Sequence, residues 1–228
     1  MSAIWEGLVK AVHLIVSFDP EVMGIAGLSL RISVTATLLA AVICLPLGSV
    51  IHFSRFAGKR ILLNLIQTFY SIPTVVVGLF VFVLFSRAGP LGDLGLLFTP
   101  TVMIIGQMIL IAPVLLGLTI SAFSGVDKAI PDTARSLGAS GFQTMAIVLR
   151  EARFAVMAAI LLAFGRAISE VGLALMVGGN ILGVTRVLTT AISLETSKGD
   201  FGLAIALGII LILIALIINI VLNRIQQR

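Results

Sequence analysis

The feature that most constrains this chain is a set of long stretches without a single charged residue. The last of them, residues 201–222, reads FGLAIALGIILILIALIINIVL. A helix needs about 20 consecutive apolar residues to cross the roughly 30 Å hydrocarbon core of a bilayer. A run of this length and uniformity therefore predicts a membrane-spanning helix.

The composition agrees with a membrane protein. Hydrophobic residues make up 59% of the chain and charged residues only 11%, whereas a soluble domain carries about 25% charged residues. The formal net charge is +5, from 15 Lys and Arg against 10 Asp and Glu. In a membrane protein such an excess indicates orientation rather than a nucleic-acid partner. The single cysteine, Cys44, lies in an apolar run and is interpreted as a small buried hydrophobic residue.

Four uncharged segments and a fifth apolar segment that carries charge account for most of the chain. Along the chain, the fourth is the least regular, because Arg166 and Glu170 interrupt it. We therefore predict an all-α integral membrane protein of about five transmembrane helices in the lipid bilayer, with spans in residues 32–51, 61–86, 94–126, 152–177 and 201–222. Pro73 and Pro113 lie within spans and predict local kinks, or alternatively a broken helix near a substrate path.

The N-terminal segment, residues 1–19, predicts an amphipathic helix. Its polar residues are spaced four, three and four apart, which places them on one helical stripe: Glu6, Lys10, His13 and Ser17. A signal peptide would instead show an uninterrupted apolar centre and a small-residue cleavage site. We expect a helix that lies in the membrane interface and ends at Asp19-Pro20. A further short span is the alternative.

Orientation follows from the positive charges in the short loops. Nine Lys and Arg residues fall on one side of the five predicted spans and five on the other. Cytoplasmic loops are the richer in Lys and Arg. The count predicts an outside N-terminus and a cytoplasmic C-terminus, and it places on the cytoplasmic side Arg55, Lys59, Arg60, Lys128, Arg135, Arg150, Arg153, Arg224 and Arg228.

A polar segment, residues 126–141, stands out on the cytoplasmic side. Asp127 and the pair Pro131-Asp132 are typical of a helix start. Gly138 and Gly141 are typical of a helix end or bend. The pattern predicts a short surface helix, a turn and then the fourth span. Such a helix suits a groove in a soluble partner, and a plain connector is the alternative.

Charge inside the fourth span is the second candidate for function. Arg166 and Glu170 are four residues apart, so a continuous helix would place them on one face and let them pair. Charge at membrane depth normally faces a bundle interior or an aqueous path. The two residues are therefore candidates for a translocation path. A structural ion pair, or a span that ends early, is the alternative.

Residues 177–200 are predicted to lie at the outer face. Gly178-Gly179-Asn180 is a strong turn signal, and a short helix is expected within residues 185–195. This region is either a docking surface for a substrate-binding protein or a loop that covers the bundle. The two histidines, at positions 13 and 52, sit in no metal-ligand pattern, and no catalytic constellation is visible.

The stretch DTARSLGAS, residues 132–140, resembles the cytoplasmic EAA loop of binding-protein-dependent ABC importer permeases. Asp132, Thr133 and Ala134 stand where Glu-Ala-Ala usually stands, and Gly138 matches the family glycine. The resemblance implies a fold like that of type I ABC importer permeases. It also implies a coupling helix that contacts an ATPase through Asp132, Thr133, Ala134, Arg135 and Gly138. Residues 148–228, around GRAISEVG and TRVLTTAI, resemble the tungstate-type oxyanion permeases.

The resemblance implies a single transmembrane permease domain over residues 1–228 that moves tungstate into the cytoplasm. Its expected partners are an ATP-binding subunit, an extracytoplasmic oxyanion-binding protein and a second copy of the chain. The sequence lacks a Gly-x-x-x-x-Gly-Lys-Ser/Thr phosphate loop, so we expect no enzyme activity, no cofactor, and ATP hydrolysis on the separate subunit. A permease for molybdate or another oxyanion is the alternative, as is an ATPase-independent channel or secondary transporter.

Overall fold

A computed structural model describes residues 2–226 of the chain. These residues form helices joined by loops and one 3-10 turn, with no β-strand in the range described. The helices are α1 (Ser2–Val16), α2 (Pro20–Phe53), α3 (Lys59–Phe69), α4 (Thr74–Phe85), α5 (Pro100–Ser124), α6 (Ala129–Ser136), α7 (Gly141–Glu151), α8 (Arg153–Ile168), α9 (Gly172–Gly178), α10 (Leu188–Lys198) and α11 (Phe201–Gln226).

The predicted all-α architecture of about five spans is confirmed. The helices α2, α5 and α11 are each long and apolar enough to cross a bilayer alone. Two further spans arise if each bent pair of helices counts as one. The pair α3 and α4 bends by 98°, and the pair α8 and α9 bends by 60°.

The first span begins earlier than the sequence pattern suggested. Helix α2 starts at Pro20 rather than near residue 32, because Asp19 caps it by accepting a hydrogen bond from the Val22 N–H at 3.0 Å. Proline is favoured at the first helical position. At 34 residues the helix is about 51 Å long, so roughly 20 Å extends beyond a 30 Å hydrocarbon core.

Proline has different effects in the second and third spans. Pro73 stands immediately before α4 at the 98° bend, so the alternative of a broken helix is the correct one there. The residue before a proline disfavours helical backbone, which accounts for the break at Ile72. Pro113, by contrast, lies inside the continuous helix α5.

The fourth span, predicted over residues 152–177, is present as a bent pair of helices rather than as one continuous helix. Helix α8 ends at Ile168 and α9 starts at Gly172. The Ser169 hydroxyl lies within donating distance of two backbone carbonyl oxygens, that of Gly165 at 2.9 Å and that of Arg166 at 3.2 Å. Serine side chains that bond to nearby backbone in this way compete with helix continuation.

Helix α5 forms the centre of the bundle. Met103, Ile111 and Leu115 on this helix are completely buried. The N-terminal half of α5 packs on α4 and α9, and the C-terminal half packs on α2 and α8. The facing surface of α8 consists of alanines, which allow the helix axes to approach closely: Ala159, Ala163 and Ala167. Cys44 is buried in the same layer, as predicted.

Helix α1 packs in the antiparallel direction along the first turns of α11. A Cβ atom at Gly7 would lie 2.7 Å from Ile205, and the Lys10 ammonium lies 3.2 Å from the Asp200 carboxylate. Fifteen residues give a helix of about 22 Å, which is shorter than the hydrocarbon core. The interfacial position of residues 1–19 stays a prediction.

Candidate functional site

The polar segment forms a helix of eight residues, as its start signals predict. The Asp127 carboxylate accepts a hydrogen bond from the Ala129 N–H at 2.9 Å, immediately before α6 begins. Asp132 and Arg135 form an exposed pair at 3.6 Å. Ala134 lies on the opposite face and is buried. Helix α6 therefore anchors one face and presents its charged face outward.

A Schellman motif ends α6 at Gly138. The Gly138 N–H donates to the carbonyl of Arg135 at 3.0 Å, and the Ala139 N–H donates to that of Ala134 at 3.0 Å. The backbone of Gly138 has φ +85°, and a Cβ atom there would meet nothing within 4 Å. Glycine is needed at this position for its backbone conformation rather than for lack of space.

Helix α7 begins at Gly141, and its N-cap residue Ser140 forms a capping box. The Gln143 N–H donates to the Ser140 hydroxyl at 3.3 Å, and the Ser140 N–H donates to the Gln143 side-chain oxygen at 2.7 Å. The two caps together hold α6 and α7 in a defined corner around residues 137–140.

Large apolar side chains project from this corner. Leu137 is 83% exposed and Phe142 is 75% exposed. Both flank the Gly138–Ser140 turn, and their position next to the glycine is the signal that would have revealed them. Exposed apolar groups rimmed by charge are typical of a protein interaction surface. We call residues 129–147 the coupling corner.

Glu170 occupies the break in the fourth span and is buried. Its carboxylate accepts a hydrogen bond from the Leu173 N–H at 2.9 Å, in the first turn of α9. Its backbone carbonyl accepts from the Thr189 hydroxyl at 2.7 Å. Negative charge is favoured at a helix N-terminus, so the geometry makes Glu170 the cap of α9 and a tie to α10.

Arg166 points elsewhere, and the predicted ion pair with Glu170 is not formed among residues 2–226. The helix ends between the two residues, so the spacing of four no longer places them on one face. Arg166 is partly buried, and its Nε atom has no hydrogen-bond partner in the described part of the chain. It lines a groove of about 700 Å³ between α8 and α11, together with Ser169 and Asn219.

The face of α8 that carries this groove is open along its length. A second hollow, of about 540 Å³, shares Ala158 and Leu162 with the first and reaches Asp127 and Glu151 near the N-terminal end of α8. The residues of this face are exposed or partly buried, recur every three or four positions and are mostly small: Ala155, Ala158, Leu162, Gly165 and Ser169. This stripe connects Arg166 with the start of the coupling corner.

The region after α9 folds back as a short helix, as predicted within residues 185–195 but about three residues later. The Gly178 carbonyl accepts a hydrogen bond from the Thr185 hydroxyl. The Leu188 N–H donates to the Ser29 hydroxyl of α2 at 2.7 Å. The start of α10 is therefore buried against α2 and α9, and its end reaches the surface near Asp200.

Comparison with known proteins shows the family to which this chain belongs and a solved structure with a similar fold. Residues 29–228 match the family described as binding-protein-dependent transport system inner membrane component. The tungstate uptake system permease protein TupB of Peptoclostridium acidaminophilum is 43% identical over 227 residues, which cover all of both chains. The protein of the same name from Campylobacter jejuni subsp. jejuni serotype O:2 is 38% identical over 224 residues, covering 98% of this chain and 94% of that one.

A solved structure has the same fold. It is the crystal structure of a bacterial ABC transporter involved in the import of the acidic polysaccharide alginate, with a TM-score of 0.75 and 18% identity over 95% of this chain and 82% of that one. The low identity restricts this likeness to the fold. The family match and the two relatives extend over nearly the whole sequence, and so this chain belongs to the binding-protein-dependent inner membrane components, the multi-pass permeases of ABC importers.

Proposed function

We propose that this permease moves tungstate into the cytoplasm as the membrane-spanning subunit of an ATP-driven importer. The observation that carries the proposal is the end-to-end match with a tungstate uptake permease at 43% identity. Residues 1–228 then act as one permease domain. Two copies form the pathway, because five spans are few for a sealed alternating-access route.

Transport in proteoliposomes tests this function. We expect tungstate uptake that requires a binding protein outside and an ATPase subunit with ATP inside. Competition by molybdate and sulfate then measures the anion preference. Preferred uptake of molybdate would make molybdate rather than tungstate the substrate. Uptake without the ATPase would identify a channel or secondary transporter instead.

The coupling corner is proposed to dock on the ATPase subunit through Asp132, Thr133, Ala134, Arg135 and Gly138. The exposed Leu137 and Phe142 support this role, because apolar side chains on the aqueous side gain from burial in a partner. We expect Leu137→Ser to lower co-purification of the ATPase. Leu94→Ser, on an exposed leucine at the opposite side of the bundle, is the matched control and should leave co-purification unchanged.

Arg166 and Glu170 are proposed to serve the translocation path in different ways. The open stripe of α8 supports a path surface in which Arg166 supplies positive charge to a passing anion. Glu170 shapes the path indirectly, since its carboxylate holds the start of α9. This division replaces the expectation of a direct ion pair between the two residues.

We further propose an outside N-terminus and a cytoplasmic C-terminus, supported by the nine-to-five count of positive residues. In a Cys44→Ala background, a cysteine at exposed Ala57, in the loop between α2 and α3, should react with a membrane-impermeant reagent only from the cytoplasmic side. Labelling of this cysteine in intact cells would contradict the orientation.

A further inference from the structure

A groove of about 650 Å³ lies between the first turns of α2 and the loop that joins α9 to α10. Its floor on α2 includes Gly24 and Gly27, where an added Cβ atom would meet nothing within 4 Å. Arg31 and Arg186 stand in its walls, and Leu182 lies in the loop above them. The groove is therefore open on the glycine side and bordered by two permanent positive charges.

The Arg186 guanidinium lacks adequate partners. Its side chain is only 15% exposed, and its Nε atom is buried without a hydrogen bond in the described residues. One Nη atom donates to the Asn180 carbonyl at 3.4 Å, and the other lies 4.0 Å from the Glu21 carboxylate. Arginine does not lose its proton, and a buried charge is stable only when it is paired. The Arg186 guanidinium therefore keeps donor capacity for a further anionic partner.

The neighbouring carboxylates do not supply that anion. Asp19 caps α2, Glu195 pairs with Lys198 at 2.8 Å, and Asp200 pairs with Lys10 at 3.2 Å. Glu21 is 59% exposed and at the outer distance limit of an ion pair. It is free to turn toward water when a stronger acceptor arrives.

Arg31 is the second positively charged residue of the groove. It is exposed on the same helical face as Gly24 and Gly27, and no carboxylate among residues 2–226 lies within 4 Å of it. Two guanidinium groups around one hollow match the several acceptor oxygens of a tetrahedral anion, which arginine binds with charge-assisted hydrogen bonds.

We propose that this groove binds a tetrahedral oxyanion, with Arg186 as the main ligand and Arg31 as the second. It lies on the part of α2 that precedes the uncharged stretch beginning at residue 32, and hence beyond the hydrocarbon core. Two sources of the anion reach this level: a free tetraoxoanion on its way to the path, or the phosphate of a lipid headgroup. If the anion is a free tetraoxoanion, the inference rests on the proposed function, and the groove is then an acceptor site for the substrate at the outer end of the permease.

Binding to the purified permease in detergent separates these sources. In one arm the protein is equilibrated with sodium tungstate, and bound tungsten is measured by elemental mass spectrometry. In the other arm, native mass spectrometry counts retained phosphatidylglycerol. The variants are Arg186→Gln, which removes the charge, and Gly27→Leu, which fills the groove without touching a charge. Arg87→Gln is the control, since Arg87 is exposed in the loop after α4 and outside the groove.

We expect both groove variants to weaken binding in one arm by at least about tenfold, while Arg87→Gln behaves as the wild type. Loss in the tungstate arm identifies a free-anion site, and loss in the lipid arm identifies a headgroup site. Equal binding by the wild type and Arg186→Gln in both arms would overturn the proposal, as would an equal loss in Arg87→Gln. Tungstate uptake by wild-type proteoliposomes is scored separately. Tungstate uptake without any binding that depends on Arg186 would contradict this inference alone. Binding that depends on Arg186 without tungstate uptake would contradict the proposed function alone.

Discussion

Gly138 is the position at which one substitution most directly tests the coupling corner. Its φ of +85° closes the Schellman motif that ends α6, and the space around it is open. Gly138→Ala therefore changes the backbone cost and adds almost no contact. Gly138→Asn and Gly138→Asp form a second pair, since both side chains tolerate the left-handed region and differ mainly in charge.

The expected magnitudes follow from this geometry. A residue with an ordinary side chain pays about 1–2 kcal/mol in the left-handed region, which lowers the population of the closed corner about 5–30-fold. Asn should cost less than Ala at this position. Asp adds a negative charge at the negative end of the α6 dipole, which is unfavourable by about 0.3–1 kcal/mol relative to Asn, and it places a carboxylate in the proposed contact surface.

Membrane abundance, ATPase co-purification and tungstate uptake are measured on the same preparations. We expect normal abundance for every variant, because no transmembrane helix is touched, and reduced co-purification or uptake for Ala and Asp. Gly141→Ala is the matched control: a Cβ atom there meets nothing within 4 Å, and its φ lies outside the left-handed region. Full uptake by Gly138→Asp would refute the coupling role of α6, and equal losses in Gly141→Ala would refute the conformational reasoning.

Three further predictions test other parts of the structure. Ser140→Ala should destabilise the start of α7 by about 1 kcal/mol, seen as faster amide exchange there, and unchanged exchange would argue against the capping box. Arg166→Ala should lower tungstate uptake at normal membrane abundance, whereas Glu170→Ala should lower the abundance itself. The double variant should show both losses, and recovery in the double variant would instead support an ion pair between the two residues. The hydrogen bond from the Leu203 N–H, and then the one from Lys10, lower the pKa of the Asp200 carboxyl. A carboxyl with a lowered pKa stabilises the fold above its ordinary pKa and loses this effect as the pH falls through the lowered value, so Asp200→Asn should loosen α1 toward proteases at neutral pH and change little in strong acid.

Much of the architecture is predictable from the sequence because it depends on local chemistry. Uncharged runs of more than 20 residues demand helices in a bilayer whatever their neighbours are. The start of α6 just after Asp127 and its termination just before Gly138 depend on hydrogen bonds within a few residues. The same locality explains the correct position of the turn at Gly178-Gly179-Asn180.

The break in the fourth span was not predictable in this way. Helical spacing places Arg166 and Glu170 together only if the helix continues, and the helix stops where Ser169 bonds back to it and Glu170 caps its successor. These local bonds compete with ordinary helix continuation by small free energies. The contact of Thr189 with the carbonyl of Glu170, from a residue 19 positions away, favours the break.

The sequence by itself determined that this chain is an all-α membrane protein of about five spans with a short polar helix after the third span. These properties depend on the hydrophobicity of each segment and on short-range caps, and the family came from the resemblance of the motifs. Only the tertiary structure decided the separation of Arg166 from Glu170, the packing of α1 on α11 and the position of the underpaired Arg186 in the groove that Gly27 also lines. Each of these depends on which distant segments meet, and the partner of a charge is set by the three-dimensional arrangement of all the others rather than by its neighbours in the chain.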